Sequence, residues 1–209
     1  TLGTRNVSIE FPGVKALSNV DFEIETGVIH ALMGANGAGK STLMKVLAGS
    51  NPGYTGDVLY NGNPVELRNP AAAKKLGIQI VYQEVDMALI PTLTVAENVM
   101  FNDLVMNMGH KQFVNYGKIR KDAKEALARL NVNIDVRRMC GTLTLAQKQM
   151  VLIARAVQSA CNFLILDEPT APLSDTETEE LFRVVRHLRK TENLAVIFIT
   201  HRIHEVLQI

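Results

Sequence analysis

Gly34-Ala35-Asn36-Gly37-Ala38-Gly39-Lys40-Ser41-Thr42 is a run of small residues that closes on a lysine and two hydroxyls. Glycines at 34, 37 and 39 let the backbone take conformations closed to residues with side chains, so successive N–H groups can turn into one concavity and hold phosphate oxygens. Lys40 then reaches the β- and γ-phosphates of a nucleoside triphosphate. Ser41 is placed to ligate Mg²⁺, and a helix starting here turns its unpaired amides and positive dipole end toward the anion. A second chemical pair, Asp167-Glu168, follows the apolar run Phe163-Leu164-Ile165-Leu166. Two carboxylates at the C-terminal edge of a buried strand stand where open α/β sheets bind ligands. Asp167 can hold the metal, directly or through water, and Glu168 can polarise an attacking water.

The elements that must position these groups are visible in the apolar spacing. Val28 to Met33 reads as a short buried parallel strand before the loop. Leu43, Val46 and Leu47 recur at helical spacing after it, and Gly49 is a natural stop. Residues up to about Gly62 alternate apolar runs with turns. Among them Val58-Leu59-Tyr60 followed by Asn61-Gly62 predicts a hairpin in an antiparallel layer. From about 84 to 159 the spacing becomes helical, with Ile119, Ala123, Leu127 and Leu130 on one face and Met150, Ile153, Ala154 and Val157 on another. Continuous apolar runs return at 163–166 and 195–199, as expected of parallel strands covered on both faces. Between them Ser174 and Glu177 predict a capping box for a helix carrying Leu181, Val184, Val185 and Leu188.

With 209 residues the chain can bury one full α/β core, with room for an inserted subdomain. Its 22 basic and 21 acidic residues balance to +1, which offers no general attraction to nucleic acid or anionic lipid. No apolar run reaches membrane-spanning length, and no basic segment followed by a hydrophobic one opens the chain. Cys140 and Cys161 lie far apart without metal-ligand spacing, as expected of reduced structural thiols. Met87, Met100, Met106 and Met108 also lack ligand spacing and read as packing or partner-contact residues rather than copper ligands. His30 reads as packed in or beside a strand, and His110, His187 and His204 as surface or loop residues. The chain starts at Thr1 and stops at Ile209 inside an expected helix, so a segment of a longer protein is expected.

Together the motifs resemble the ATP-binding cassette (ABC) ATPases over nearly the whole chain. Gln83, after Ile78-Gln79-Ile80-Val81-Tyr82, looks like the Q-loop glutamine, which in that family senses γ-phosphate and Mg²⁺. Leu143-Thr144-Leu145-Ala146-Gln147 occupies the signature position, Ala171-Pro172-Leu173-Ser174 looks like the D-loop, and His201 looks like the switch histidine. Phe11 lies where the family places an aromatic on adenine. The resemblance implies an α/β cassette of the phosphate-loop NTPase type, with a mostly parallel core sheet, an antiparallel β subdomain and an inserted helical subdomain. It further implies a single, C-terminally incomplete nucleotide-binding domain, with an ATP-binding core of about 1–83 and 160–209 and a helical subdomain of about 84–159.

ATP and Mg²⁺ are the implied ligands. Phe11, the loop from Gly34 through Ala35, Asn36, Gly37, Ala38, Gly39, Lys40 and Ser41 to Thr42, and an opposing Thr144, Ala146 and Gln147 would hold ATP. Ser41, Gln83 and Asp167 would serve the metal, and Glu168, His201, Gln83 and Lys40 the chemistry. Implied partners are a second cassette, a membrane permease and, indirectly, a periplasmic or lipoprotein-type sugar-binding protein, with the chain peripheral on the cytoplasmic face of the membrane. The signature lacks its two central glycines, carrying Leu145 and Ala146, and Ser174 stands where aspartate is common, with Asp175 next to it.

The stretches 11–17, 30–34 and 147–151 most resemble the N-terminal cassette of tandem ATPases that import simple sugars such as ribose, galactose or xylose. Nucleoside importers and soluble ABC ATPases of repair or translation are the competing readings. A small-molecule kinase using the same loop would need an acceptor site and has no use for a signature helix or switch histidine.

Overall fold

The computed structural model describes residues 1–107 and 114–209. Met108 and His110 lie outside the described residues, as does the side chain of Met106. The chain opens with an antiparallel pair, β1 (Leu2–Phe11) and β2 (Val14–Ile24), whose tip pairs Phe11 with Val14. Next come β3 (Ile29–Met33), α1 (Lys40–Leu47), β4 (Thr55–Tyr60), β5 (Asn63–Val65) and α2 (Pro70–Lys75). β1, β2, β4 and β5 make a four-stranded antiparallel sheet in the order β2-β1-β4-β5. The β4–β5 hairpin turns through Asn61 and Gly62, with φ of 51° and 77°. Two consecutive left-handed residues match the right-handed twist of the strands, as the Asn-Gly pair predicts.

After β6 (Ile78–Val81) the chain becomes helical, in α3 (Val85–Ala88), α4 (Val95–Val99), α5 (Phe101–Asn107), α6 (Tyr116–Arg129) and α7 (Leu145–Gln158). It returns through β7 (Phe163–Asp167), α8 (Asp175–Glu192), β8 (Ala195–Thr200) and α9 (Ile203–Gln208). β3, β8, β7 and β6 form a second, fully parallel sheet in that order.

The central strands are buried on both faces, and alternation splits them between two cores. Leu164, Leu166, Val196 and Phe198 face the core shared with α7, α8 and the helical segment. Phe163, Ile165, Ala195, Ile197 and Ile199 face α1 and the antiparallel sheet. Edge-to-face rings lock each side, Phe182 on Phe198 at 5.6 Å and Tyr60 on Phe163 at 6.0 Å.

β3 departs from the expectation of a fully buried strand. Its sole partner among the described residues is β8, its side chains are only partly covered, and Val28 lies before it, 43% exposed. Met100 is buried as expected, but Met87 is 82% exposed and packs no core. His30 packs its ring edge-to-face on Phe22, and His204 is exposed on α9. His187, read as a surface or loop residue, lies half-buried on α8. Burial raises both thiols, Cys161 to about 12, so neither is reactive at neutral pH.

A buried polar network, which periodicity does not reveal, braces the helical segment. Asn98 is fully buried and bonds the backbone of Ile90, Leu93 and Thr94. The Arg155 guanidinium donates to the carbonyls of Asn98 and Ala88, both at 2.7 Å, and sits 5.7 Å from the Phe101 ring. One side chain on α7 thereby fixes the ends of α3 and α4. Arg129 on α6 then ties this segment to the core, bonding the Val157 carbonyl and pairing with Glu192 at the end of α8.

Ile165 is fully buried at the centre of the parallel sheet. Truncation to alanine there removes apolar burial and leaves a cavity, so Ile165→Ala should cost about 2–5 kcal/mol. Denaturant unfolding should show a lower midpoint with an unchanged slope.

Candidate functional site

In the parallel sheet, Met33 pairs with Thr200, Asp167 with Ile199 and Val81 with Leu166. The four strands therefore end within a residue or so of one another along one edge. The phosphate-loop sequence leaves that edge after β3, Gln83 after β6, Glu168 after β7 and His201 after β8.

Gly37 and Gly39 take φ of 82° and 86°. A Cβ at Gly39 would also lie 2.5 Å from the Ala16 carbonyl oxygen, so glycine there lets the loop close against β2. Gly34 departs from expectation: its φ is not left-handed, and a Cβ would meet only Ala38 and Lys40 at ordinary distances of 3.6 and 3.7 Å. Helix α1 begins at Lys40, so the amides of Lys40 and Ser41 have no carbonyl one turn back. The Lys40 ammonium donates to the carbonyls of Gly34 (2.7 Å) and Ala35 (2.9 Å), folded over its own loop.

Odd-numbered residues of β7 face α1, which directs Asp167 to the helix start. Ser41 Oγ donates to Asp167 Oδ1 at 3.2 Å, across 126 residues of sequence. Burial pushes the Asp167 carboxyl above the usual aspartate range; the Ser41 bond opposes this, and the neighbouring Glu168 charge adds to it. Two hard oxygens at one point, one on a buried carboxylate without an ion-pair partner among the described residues, suit Mg²⁺. That ion keeps several waters and needs few protein ligands.

Glu168 is a left-handed residue, φ 46°. Outside glycine that conformation costs about 1–2 kcal/mol. Its amide still donates to the Ile199 carbonyl at 3.2 Å, and the kink brings its carboxylate to 3.4 Å from His201 Nδ1. The turn carrying His201 is itself anchored. Glu205, fully buried on α9, accepts from the Thr200 hydroxyl and pairs with the Arg202 guanidinium at 3.3 Å. The Thr200 hydroxyl in turn accepts from the Arg202 amide at 3.0 Å. The sequence reading missed Thr200 and Glu205, since a single carboxylate in a short helix carries no sign that it is buried.

The other candidates are not in this cluster. Gln83 is exposed two residues beyond β6, its carbonyl accepting from Val85 N. Phe11, 41% exposed, stands at the β1–β2 tip. Thr144 caps α7: its hydroxyl accepts from Gln147 N at 3.2 Å, and Gln147 Oε1 accepts from Thr144 N. The Thr-x-x-Gln spacing signals this reciprocal box, in which the hydroxyl only accepts, so its O–H can still donate to a phosphate oxygen. Ala146, expected at the nucleotide, has its side chain buried in the helical core, so only its backbone amide could reach a ligand. Ser174 caps α8 with Glu177, a role that aspartate would fill equally well.

A family model described as ABC transporter matches residues 17–171. The chain is 45% identical over 208 residues to a ribose import ATP-binding protein of Rubrobacter xylanophilus, covering all of this chain and 40% of that protein. It is also 45% identical over 209 residues to a putative ribose/galactose/methyl galactoside import ATP-binding protein of Agrobacterium fabrum, again across 40% of its length. The chain thus spans about two fifths of the curated relatives it matches. Among solved structures it is similar to the dimeric structure of a bacterial ABC transporter cassette, with a TM-score of 0.79 at 25% identity, covering 98% of this chain and 90% of that one.

Because its native pKa is raised, Asp167 holds a proton longer in the folded than in the unfolded state. With chelator present, stability should therefore fall as pH rises from the ordinary aspartate pKa through the raised native one. Asp167→Asn removes this dependence and can keep the Ser41 bond. The substituted protein should be at least as stable as the parent at neutral pH in chelator, and any rise in the parent's melting temperature with Mg²⁺ should be absent from it. Thermal melts at acid and neutral pH, with and without Mg²⁺, read both effects.

Proposed function

Since the chain belongs to the ABC transporter family, we propose that it binds and hydrolyses ATP to drive import of a simple sugar such as ribose, galactose or xylose. The observation that carries this is the cluster at one sheet edge: the loop lysine, the Ser41–Asp167 contact at 3.2 Å and the Glu168–His201 contact at 3.4 Å. Relatives named for ribose and galactose import support the sugar class.

In this reading the amides at the start of α1 and the glycine loop bind the phosphates, and Lys40 leaves its loop carbonyls for them. Phe11 stacks on adenine. Ser41 and Asp167, with Gln83, would hold Mg²⁺, which when bound neutralises charge on the phosphate oxygens. Glu168 orients a water and accepts its proton, and His201, held by the Thr200–Glu205 anchor, keeps that water in line with the γ-phosphorus. Water attack forms the new P–O bond as the β–γ bridge breaks to ADP and phosphate.

Residues of about 84–159 act as a helical subdomain on a core of about 1–83 and 160–209. A second cassette supplies an opposing signature, for which the dimeric cassette is the precedent. A membrane permease receives the motion at the cytoplasmic face, and a sugar-binding protein delivers the cargo.

Lys40→Ala removes the loop's cation and should lower ATP turnover about 10²-fold or more in the assembled transporter. A parental rate would overturn the site assignment. Glu168→Gln should retain ATP while losing turnover, because Asp167 and the loop are untouched. Filter binding alongside phosphate release separates the two, and unchanged release would exclude Glu168 as the base.

A further inference from the structure

One side of α6 and the segment 131–137 that follows it border a solvent-open groove of about 690 Å³, whose charged lining residues are exposed. α6 packs on α4 and α7, so this groove belongs to the helical segment and not to the sheet edge that carries the phosphate loop. Cations line both walls: Arg120, Lys121 and Lys124 from the helix, Arg137 from the facing segment. Asn131 and Asn133 add side-chain amides, and the floor is apolar, with Leu127 and Ile134 both buried.

The charge here is unbalanced although the chain as a whole is nearly neutral. The same helix pairs Lys118 with Asp122 at 2.6 Å and Arg129 with Glu192. Yet among the described residues Arg120, Lys124 and Arg137 form no ion pair, and Lys121 approaches only Glu125, at 3.9 Å. The sole carboxylate in the lining, Asp135, has an oxygen engaged by the Arg137 amide at 3.0 Å.

A guanidinium from each wall, Arg120 and Arg137, supplies the donors that charge-assisted and bidentate bonds to phosphate oxygens require. The volume falls in the small-ligand range of about 300–1,000 Å³. Amide side chains beside an apolar floor suit the hydroxyls of a sugar ring. We propose that this groove binds a small phosphorylated metabolite of the sugar-phosphate class. The assignment stands whether or not the chain drives sugar import.

The test uses the purified full-length protein with adenylyl imidodiphosphate and Mg²⁺ filling the phosphate loop, and ribose 5-phosphate as the probe in calorimetric titration. Saturable binding with one site per chain is expected, and none with ribose. Lys124→Glu and Arg137→Glu should each weaken it at least about tenfold, the loss expected for one charge-assisted bond. Lys124→Gln should weaken it less, and ATP turnover without sugar phosphate should match the parent in all three. Absence of binding at millimolar probe overturns the proposal, as does binding that these substitutions leave unchanged. Equal affinity for inorganic phosphate would reduce the site to an adventitious anion contact. Substitution-sensitive binding to phosphatidylglycerol vesicles, without sugar-phosphate binding, would assign the cations to a lipid surface instead.

Discussion

Parallel hydrogen bonding between β3, β8, β7 and β6 is the constraint on which the site depends. Residues far apart in sequence become neighbours because register brings Met33 to Thr200, Asp167 to Ile199 and Val81 to Leu166. Moving one strand by a single residue would turn Asp167 away from α1 and into the opposite core. Register is held by the two-sided burial of the apolar runs at 163–166 and 195–199, whose alternate residues fill separate cores. The hydrophobic effect thus sets the geometry of a polar site, and local chemistry only finishes it.

That finishing follows one pattern: a backbone group or buried side chain fixes each reactive group from behind. Gly39 lets the loop close on the Ala16 carbonyl, the Ile199 carbonyl holds the Glu168 amide, and Glu205 anchors the turn beneath His201. The helical segment is braced in the same way, with Arg155 drawing carbonyls from the ends of α3 and α4 toward α7. Such anchoring bonds limit the reorganisation that chemistry at the edge would require.

Much of this was legible in sequence because it rests on periodic or strongly local signals. Continuous apolar runs gave the buried strands, Asn61-Gly62 the hairpin, and Ser174 with Glu177 the start of α8. Long-range polar contacts were not legible. Nothing local in the sequence tells that Asn98 and Glu205 are fully buried, or that Glu168 is left-handed. β3 read as a buried strand because its apolar run resembles those of β7 and β8, whereas burial depends on which strands flank it. Thr144, read from the resemblance as a nucleotide contact, also closes a reciprocal cap with Gln147 that the same residue spacing signals.

The conformation of Glu168 bears on how this chain can drift through mutation. A glycine there would relieve about 1–2 kcal/mol of backbone cost, partly offset by the roughly 0.5–1 kcal/mol of extra entropy it gives the unfolded chain. Asparagine, which tolerates the same conformation better than most residues, would recover part of that backbone cost. Both replacements need few nucleotide changes and delete the carboxylate beside His201. Backbone conformation therefore favours residues other than glutamate at this position, and the carboxylate beside His201 is held at a cost in stability.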